Sequence, residues 1–213
     1  MRLSLALVAL ILLGATVYLV VANPTLTWID VAIPGWVSAH RSPGLSRVMT
    51  LATATGGPAI SLAYTSALVL LCFARGRPAT AAGVAAITCG GAGLNVGLKH
   101  WVERARPVVE DPLLTLSTYS FPSGHAAAST IFGGVLVVLM RRVQPELPAK
   151  RVAIIAVVLW VACICMSRVY LGVHYPTDVL AGVFEGIAWL MLSVAALDHW
   201  QVPLGWPRAA AAA

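Results

Sequence analysis

The sequence predicts an all-α, polytopic membrane bundle of about six transmembrane helices. Three observations lead there. Hydrophobic residues fill 59% of the 213 positions and charged residues only 10%, where a water-soluble domain carries about a quarter charged residues. Mean hydropathy is +0.86, so most of the chain lowers its free energy by entering lipid. The apolar residues also gather into six runs, each near the length a helix needs to cross a hydrocarbon layer about 30 Å thick. No internal repeat is apparent, and residues 1–213 read as one membrane-embedded domain.

The first run, Leu3–Ala22, follows Arg2. Its end, Val20-Val21-Ala22, resembles a cleavage site, but about 20 apolar residues exceed the roughly 7–15 of a secretory signal core, so the run is read as an anchor. Between Asn23 and Arg47 lie Trp28, Asp30, Trp36, His40 and several prolines. Such aromatics suit an amphipathic segment in the outer interface beside a lipid entrance, and an ordinary tether accommodates them too. The second span falls within Val48–Phe73 and the third is Ala79–Leu98. The third contains "CGGAGLNVG", Cys89 to Gly97; with no strand before it, this stretch fits close helix packing rather than a nucleotide loop. Asn95, one turn before Lys99, reads as an interhelical hydrogen-bonding residue. The fourth run is Phe121–Met140, with Pro122 expected in the first turn, where a missing N–H is tolerated. Val152–Ser167 and Val179–Leu197 complete the set, the last helix opening at Pro176. Cys72, Cys89, Cys163 and Cys165 all lie inside the runs and read as packing residues. Residues 201–213 read as a disordered tail.

Six spans put both termini on one side, and the cations say which. Arg2, Arg75, Arg77, Arg141, Arg142, Lys150, Arg151 and Arg208 share one face, eight of the 14 Lys and Arg residues; Arg41, Arg47, Lys99, Arg104, Arg106 and Arg168 share the other. The short connections "ARGRP" and "RRVQPELPAKR" are dense in cations and fit the cytoplasmic side. Lys99, Arg106, His125, Arg168 and His174 are therefore expected at the extracytoplasmic face of the cell membrane. The net charge of +6 is divided between two membrane faces, so it does not predict a nucleic-acid partner.

Three segments converge on the outer face: "GLKHWVERARP", "FPSGH" and "SRVYLGVHYPTD". Lys99, Arg106 and Arg168 are fixed cations there. Each alone is explained by snorkelling, but joined by two histidines and an aspartate they suit a phosphate dianion. At the start of the fourth helix the free amides of Ser123, Gly124 and His125 are expected to point at the same site, Gly124 admitting an anion close to the backbone. In "VHYPTD", Asp178 lies about one helical turn beyond His174. It can accept from one imidazole nitrogen and leave the other free to attack phosphorus, and it also suits the helix N-terminus on dipole grounds.

The chain reads K-x6-R-P from Lys99 to Pro107, P-S-G-H from Pro122 to His125, and S-R-x5-H-x3-D from Ser167 to Asp178. This ordered triple resembles the signature of the type 2 phosphatidic acid phosphatase superfamily, which also holds glucose-6-phosphatase and the vanadium haloperoxidases. No signature position departs from the pattern. The resemblance implies His174 as a nucleophile forming a phosphohistidine, Asp178 as its orienting carboxylate, and His125 as the acid that protonates the leaving group and then activates water. It implies Lys99, Arg106 and Arg168, joined by Ser123 and the Gly124 amide, as the phosphate-binding set, with no metal and no cofactor. The implied substrate is a membrane lipid phosphate: phosphatidic acid, phosphatidylglycerol phosphate or undecaprenyl diphosphate. An extracytoplasmic site favours the last of these, or a broad specificity.

Two other classes compete. Glu185, seven residues after Asp178 inside the sixth run, fits a small transporter or channel; within the phosphatase reading it lines a cavity below the site or serves as a structural partner in the bundle. A vanadate-dependent oxidase would use the same pocket. Neither alternative calls for all three motifs in a membrane-embedded chain.

Overall fold

A computed structural model describes residues 2–22, 27–108, 113–114, 116–142 and 148–204. The helices among them are α1 (Arg2–Ala22), α2 (Trp28–Ala39), α3 (Pro43–Ala54), α4 (Pro58–Ala74), α5 (Pro78–Val102), α6 (Gly124–Arg142), α7 (Pro148–Tyr170) and α8 (Pro176–His199). Five of them begin on proline, whose fixed φ and missing N–H suit the first helical position.

Helices α1, α5, α6, α7 and α8 are each long and apolar enough to cross a membrane. In place of the expected second span stand two helices: α3 and α4 meet at 47°, and the pair taken as one span is long and apolar enough for a sixth crossing. It begins at Pro43, ahead of the apolar run. The break falls in "TGGP", Thr55 to Pro58, because two glycines leave the helical state readily and Pro58 then starts a new helix.

Helix α8 is central, packing against α1, α5 and α6. Two glycines a turn apart allow it to approach α6. A Cβ on Gly182 would lie 2.5 Å from the Ser123 carbonyl oxygen, and one on Gly186 would lie 2.9 Å from Thr130 Cβ. This is the small-xxx-small contact that lets helices pack by dispersion where lipid supplies no hydrophobic drive between them. The glycine run of α5 acts similarly. A Cβ on Gly90 or Gly91 would strike the Trp189 ring, whose Nε1 donates to the Ile87 carbonyl at 2.7 Å. A core of Val84, Ile87, Ile131, Val135, Leu190 and Val194 fills the space between α5, α6 and α8.

Three expectations are corrected. Pro122 is not in the first turn of α6, which starts at Gly124; Pro122 precedes it across a cis peptide from Phe121. Ser123 takes the capping position instead, its carbonyl accepting from the Ala127 N–H at 3.0 Å. Residues 201–204 are not part of a loose tail. Thr80 Oγ1 donates to the Pro203 carbonyl at 2.9 Å and Arg142 Nη1 to the Leu204 carbonyl at 3.1 Å, and Leu204 is buried in the core. The rest of the expected tail, from 205, lies outside the described residues. The segment after α1 contains a helix, α2, compatible with the amphipathic reading: Trp28, Val31 and Trp36 face outward and its buried residue is the charged Asp30. Among the free cysteines Cys72 is buried as expected, but Cys89 is exposed on the outside of α5.

Candidate active site

The C-terminal end of α5, the strand-free segment 103–108, the turn 118–123 and the turn 171–175 meet at one end of the bundle. Backbone bonds stitch them together: Ser120 N–H donates to the Arg104 carbonyl at 2.8 Å and Ser123 N–H to the Asp178 carbonyl at 2.9 Å. The chain leaves α7 through Gly172, in the left-handed region at φ 73°. The amides of Val173 and His174 then fold back onto the Arg168 carbonyl at 3.2 and 3.3 Å. His174 is thereby held rigidly just before α8.

His174 is 2% exposed. Its Nδ1 lies 3.5 Å from Asp178 Oδ2 and 3.5 Å from Ser120 Oγ, and its Nε2 lies 3.4 Å from Arg106 Nη1. Asp178 Oδ2 also accepts from Ser120 Oγ and from the Tyr175 N–H at 2.9 Å, so the carboxylate caps α8 while it faces the imidazole. Burial pulls the His174 pKa down to about 4; Asp178 opposes the shift, and the Arg168 and Arg106 charges add to it. The ring is therefore an uncharged base at neutral pH.

The cations surround that ring in different states of engagement. Arg106 donates to Thr118 and Val173 carbonyls at 2.7 and 2.6 Å, and to Thr118 Oγ1 and the Tyr119 carbonyl at 3.0 and 3.2 Å. Lys99 Nζ donates to the carbonyls of Tyr119 and Pro122 at 2.9 and 2.7 Å. Arg168 is 1% exposed. One of its Nη atoms donates to Thr53 Oγ1, while Nε and Nη2 are buried without a partner among the described residues. Ser123 Oγ is likewise buried and unpartnered. Buried donors without a protein partner are costly, and an anion is the kind of group that matches them.

His125 and Arg168 line an open cavity of about 350 Å³ together with Thr53, Gly57, Pro58, Ile60, Leu114 and Leu116. The α3–α4 break thus opens onto the charged cluster. Gly57 is required there, because a Cβ would sit 2.9 Å from His125 Nε2.

All eight residues singled out from the sequence lie around this end of the bundle. The expectation of three free amides is corrected: the Ser123 amide is bonded to Asp178, leaving the first-turn amides from Gly124 onward without intrahelical partners. Gly124 has a packing role too, since a Cβ would lie 3.2 Å from Asn95 Oδ1. Asn95 makes the expected interhelical bond, its Nδ2 donating to Glu185 Oε2 at 2.8 Å; Glu185 is buried and its Oε1 has no partner among the described residues. Sequence reasoning missed Thr53, Ser120 and, above all, Arg104, which grips both Asp178 and Asp30. The available signals were faint: a second arginine in "ERARP", and the single acid between Asn23 and Arg47. Among the described residues no three His, Cys, Asp or Glu side chains gather as metal ligands would.

The sequence model of the PAP2 superfamily matches residues 78–201. Phosphatidylglycerophosphatase B of Bacillus subtilis (strain 168) is 44% identical over 96 residues, which cover 44% of this chain and 46% of the relative. Lipid A 1-phosphatase of Rhizobium johnstonii is 38% identical over 96 residues, covering 42% of this chain and 35% of the relative. The matched part thus spans less than half the length of these curated relatives. Over the fold, the chain is similar to the crystal structure of a transmembrane PAP2-type phosphatidylglycerolphosphate phosphatase from Bacillus subtilis. The TM-score is 0.77 at 30% identity, covering 93% of this chain and 96% of that one.

Proposed function

The chain belongs to the PAP2 superfamily, and on that premise we propose that it hydrolyses the phosphate ester or diphosphate of a membrane lipid through a covalent phosphohistidine on His174. One observation carries the reading. A neutral imidazole has Nδ1 turned to a carboxylate and Nε2 turned to Arg106, beside a second arginine with two unmatched donors. A phosphoryl group between Arg106 and Arg168 would meet Nε2 directly.

Arg106 and Arg168 bind the non-bridging oxygens, with Lys99, Ser123 Oγ and the Gly124 amide completing the cradle. Nε2 of His174 forms a bond to phosphorus as the phosphorus–oxygen bond to the lipid breaks. His125 gives its proton to the departing oxygen, and Nδ1–H of His174 stays on the ring, facing Asp178. Water then attacks phosphorus, His125 takes one of its protons, and Nε2 leaves. The fixed cations stabilise charge on the transferring group throughout.

The largely apolar cavity beside His125 suits the lipid portion nearest the phosphate. The names of two relatives, a phosphatidylglycerophosphatase and a phosphatidylglycerolphosphate phosphatase, support phosphatidylglycerol phosphate ahead of the undecaprenyl diphosphate favoured by orientation alone. The charge asymmetry of the loops supports a site at the extracytoplasmic face.

Phosphate release by detergent-purified protein from phosphatidylglycerol phosphate, phosphatidic acid and undecaprenyl diphosphate, with and without chelator, tests this. Release is expected from the first, unaffected by chelator. His174→Ala should lower it by at least about a thousandfold with the melting temperature retained. Turnover by His174→Ala, or no release from any of the lipids, would overturn the proposal.

A further inference from the structure

We propose that Asp30 of α2, acting through Arg104, is a positioning residue that leaves Asp178 with an unbalanced negative charge facing His174. The proposal rests on the phosphohistidine reading above.

Arg104 divides its guanidinium between two carboxylates. One Nη donates to Asp178 Oδ1 and, at 2.8 Å, to Thr177 Oγ1; the other donates to Asp30 Oδ2 at 2.8 Å. Both carboxylates have fully buried side chains and Arg104 is 12% exposed, so water screens little of this. Asp30 is fixed from its other side by the first turn of α8, where Thr177 N–H donates to Oδ1 at 3.1 Å and Thr177 Oγ1 to Oδ2 at 2.8 Å. The Tyr175 ring lies under the guanidinium, 4.2 Å from its carbon. A partner this well built at a distance from the phosphate cluster calls for an explanation.

Charge supplies one. Arg104 paired with Asp178 alone would cancel it, and His174 would face an ion pair of no net charge. With Asp30 added, two carboxylates surround one cation and one negative charge remains. That charge is needed when His174 Nε2 bonds to phosphorus, because the ring then carries positive charge with its Nδ1 proton toward Asp178. The groups that act on His174 against it are Arg106, Arg168 and the ring of His125. Asp30 shifts the balance without touching the substrate site.

A consequence follows for α2. Its outward face carries Trp28, Val31 and Trp36, while its one buried residue reaches the catalytic carboxylate. The helix therefore ties a surface apolar face to the nucleophile through the Arg104 guanidinium and the first turn of α8.

Asp30→Asn keeps the shape and removes the charge. In the full-length detergent-purified protein, measured with phosphatidylglycerol phosphate, kcat is expected to fall about tenfold or more with KM within about twofold. The acid limb of the pH profile should move to lower pH, since a less negative surrounding makes the imidazole harder to protonate. Orthovanadate, which bonds to a free imidazole without turnover, should bind correspondingly more weakly. Arg104→Lys keeps the charge but loses the fork, and should lower kcat while leaving the acid limb in place. Wild-type kcat and an unmoved limb in Asp30→Asn overturn the proposal, as does a loss that appears only as a lower melting temperature. Were Asp30→Asn to fail to fold, wild-type kcat in Arg104→Lys would overturn it. If the unmodified protein released no phosphate, the phosphatase reading would fail, and orthovanadate affinity unchanged by Asp30→Asn would then sink this proposal separately.

Discussion

His174 enters the resting site as a neutral base, and its acid–base behaviour should report its burial. With a pKa near 4 in place of the ordinary 6.5, the loss of kcat/KM that protonation of His174 causes should be centred near pH 4. A limb centred near 6.5 would mean that the ring is hydrated rather than enclosed. Stability has a definite sign as well. The unfolded chain takes up this proton first, so the residue lowers stability as pH falls from about 6.5 to about 4 and changes nothing above that window. The melting temperature of the wild type should therefore fall below that of His174→Ala across that range. The His174–Asp178 pairing was legible because four residues across a helix start bring two side chains onto one face. The partner of Arg104 was not legible, because Asp30 is 74 residues away and nothing local distinguishes a buried aspartate from one in an exposed loop.

Helix α8 places the site by lying unusually close to α6, and Gly182 is where that closeness is tested. An added methyl would sit 2.5 Å from a backbone oxygen that cannot swing aside, the Ser123 carbonyl. Gly182→Ala should cost about 1–3 kcal/mol and lower turnover with it, because the displaced turn carries Ser123 and Gly124. Gly93→Ala, whose Cβ would meet nothing within 4 Å, should instead leave activity intact and stabilise by a fraction of 1 kcal/mol. Thermal unfolding and phosphate release on both variants check the pair; equal behaviour would mean that the α6–α8 contact is not what holds the site. The existence of the long spanning helices was readable from apolar length; that of the short α2, Trp28–Ala39, was not. The α3–α4 break was readable only as a turn signal in "TGGP", since nothing in those four residues tells that they face His125.

Across the bilayer, the ion pairs of Asp198 with Arg2 and Arg142 gather at the end of the bundle opposite His174, where Arg75, Arg77, Arg141, Lys150 and Arg151 also lie at helix ends. Topology follows from which of these ends faces the cytoplasm. In a background without the native cysteines, Ala105→Cys should react with an impermeant maleimide added to intact cells, and Ala149→Cys only after permeabilisation; the reverse would place the site inside. Membrane class, the number of crossings and the three motifs were open to reading in one dimension. Hydrophobic length is a sum over neighbouring residues, and each motif is a short local spacing. The chain order of residues could not say that two Arg168 donors would be unmatched among the described residues, that Thr53 and Gly57 would line the cavity, or that Asp30 would reach Asp178 through Arg104. Those are contacts between segments far apart in the chain, and they exist because close helix packing brings the segments together at depths where polar groups must find one another rather than water.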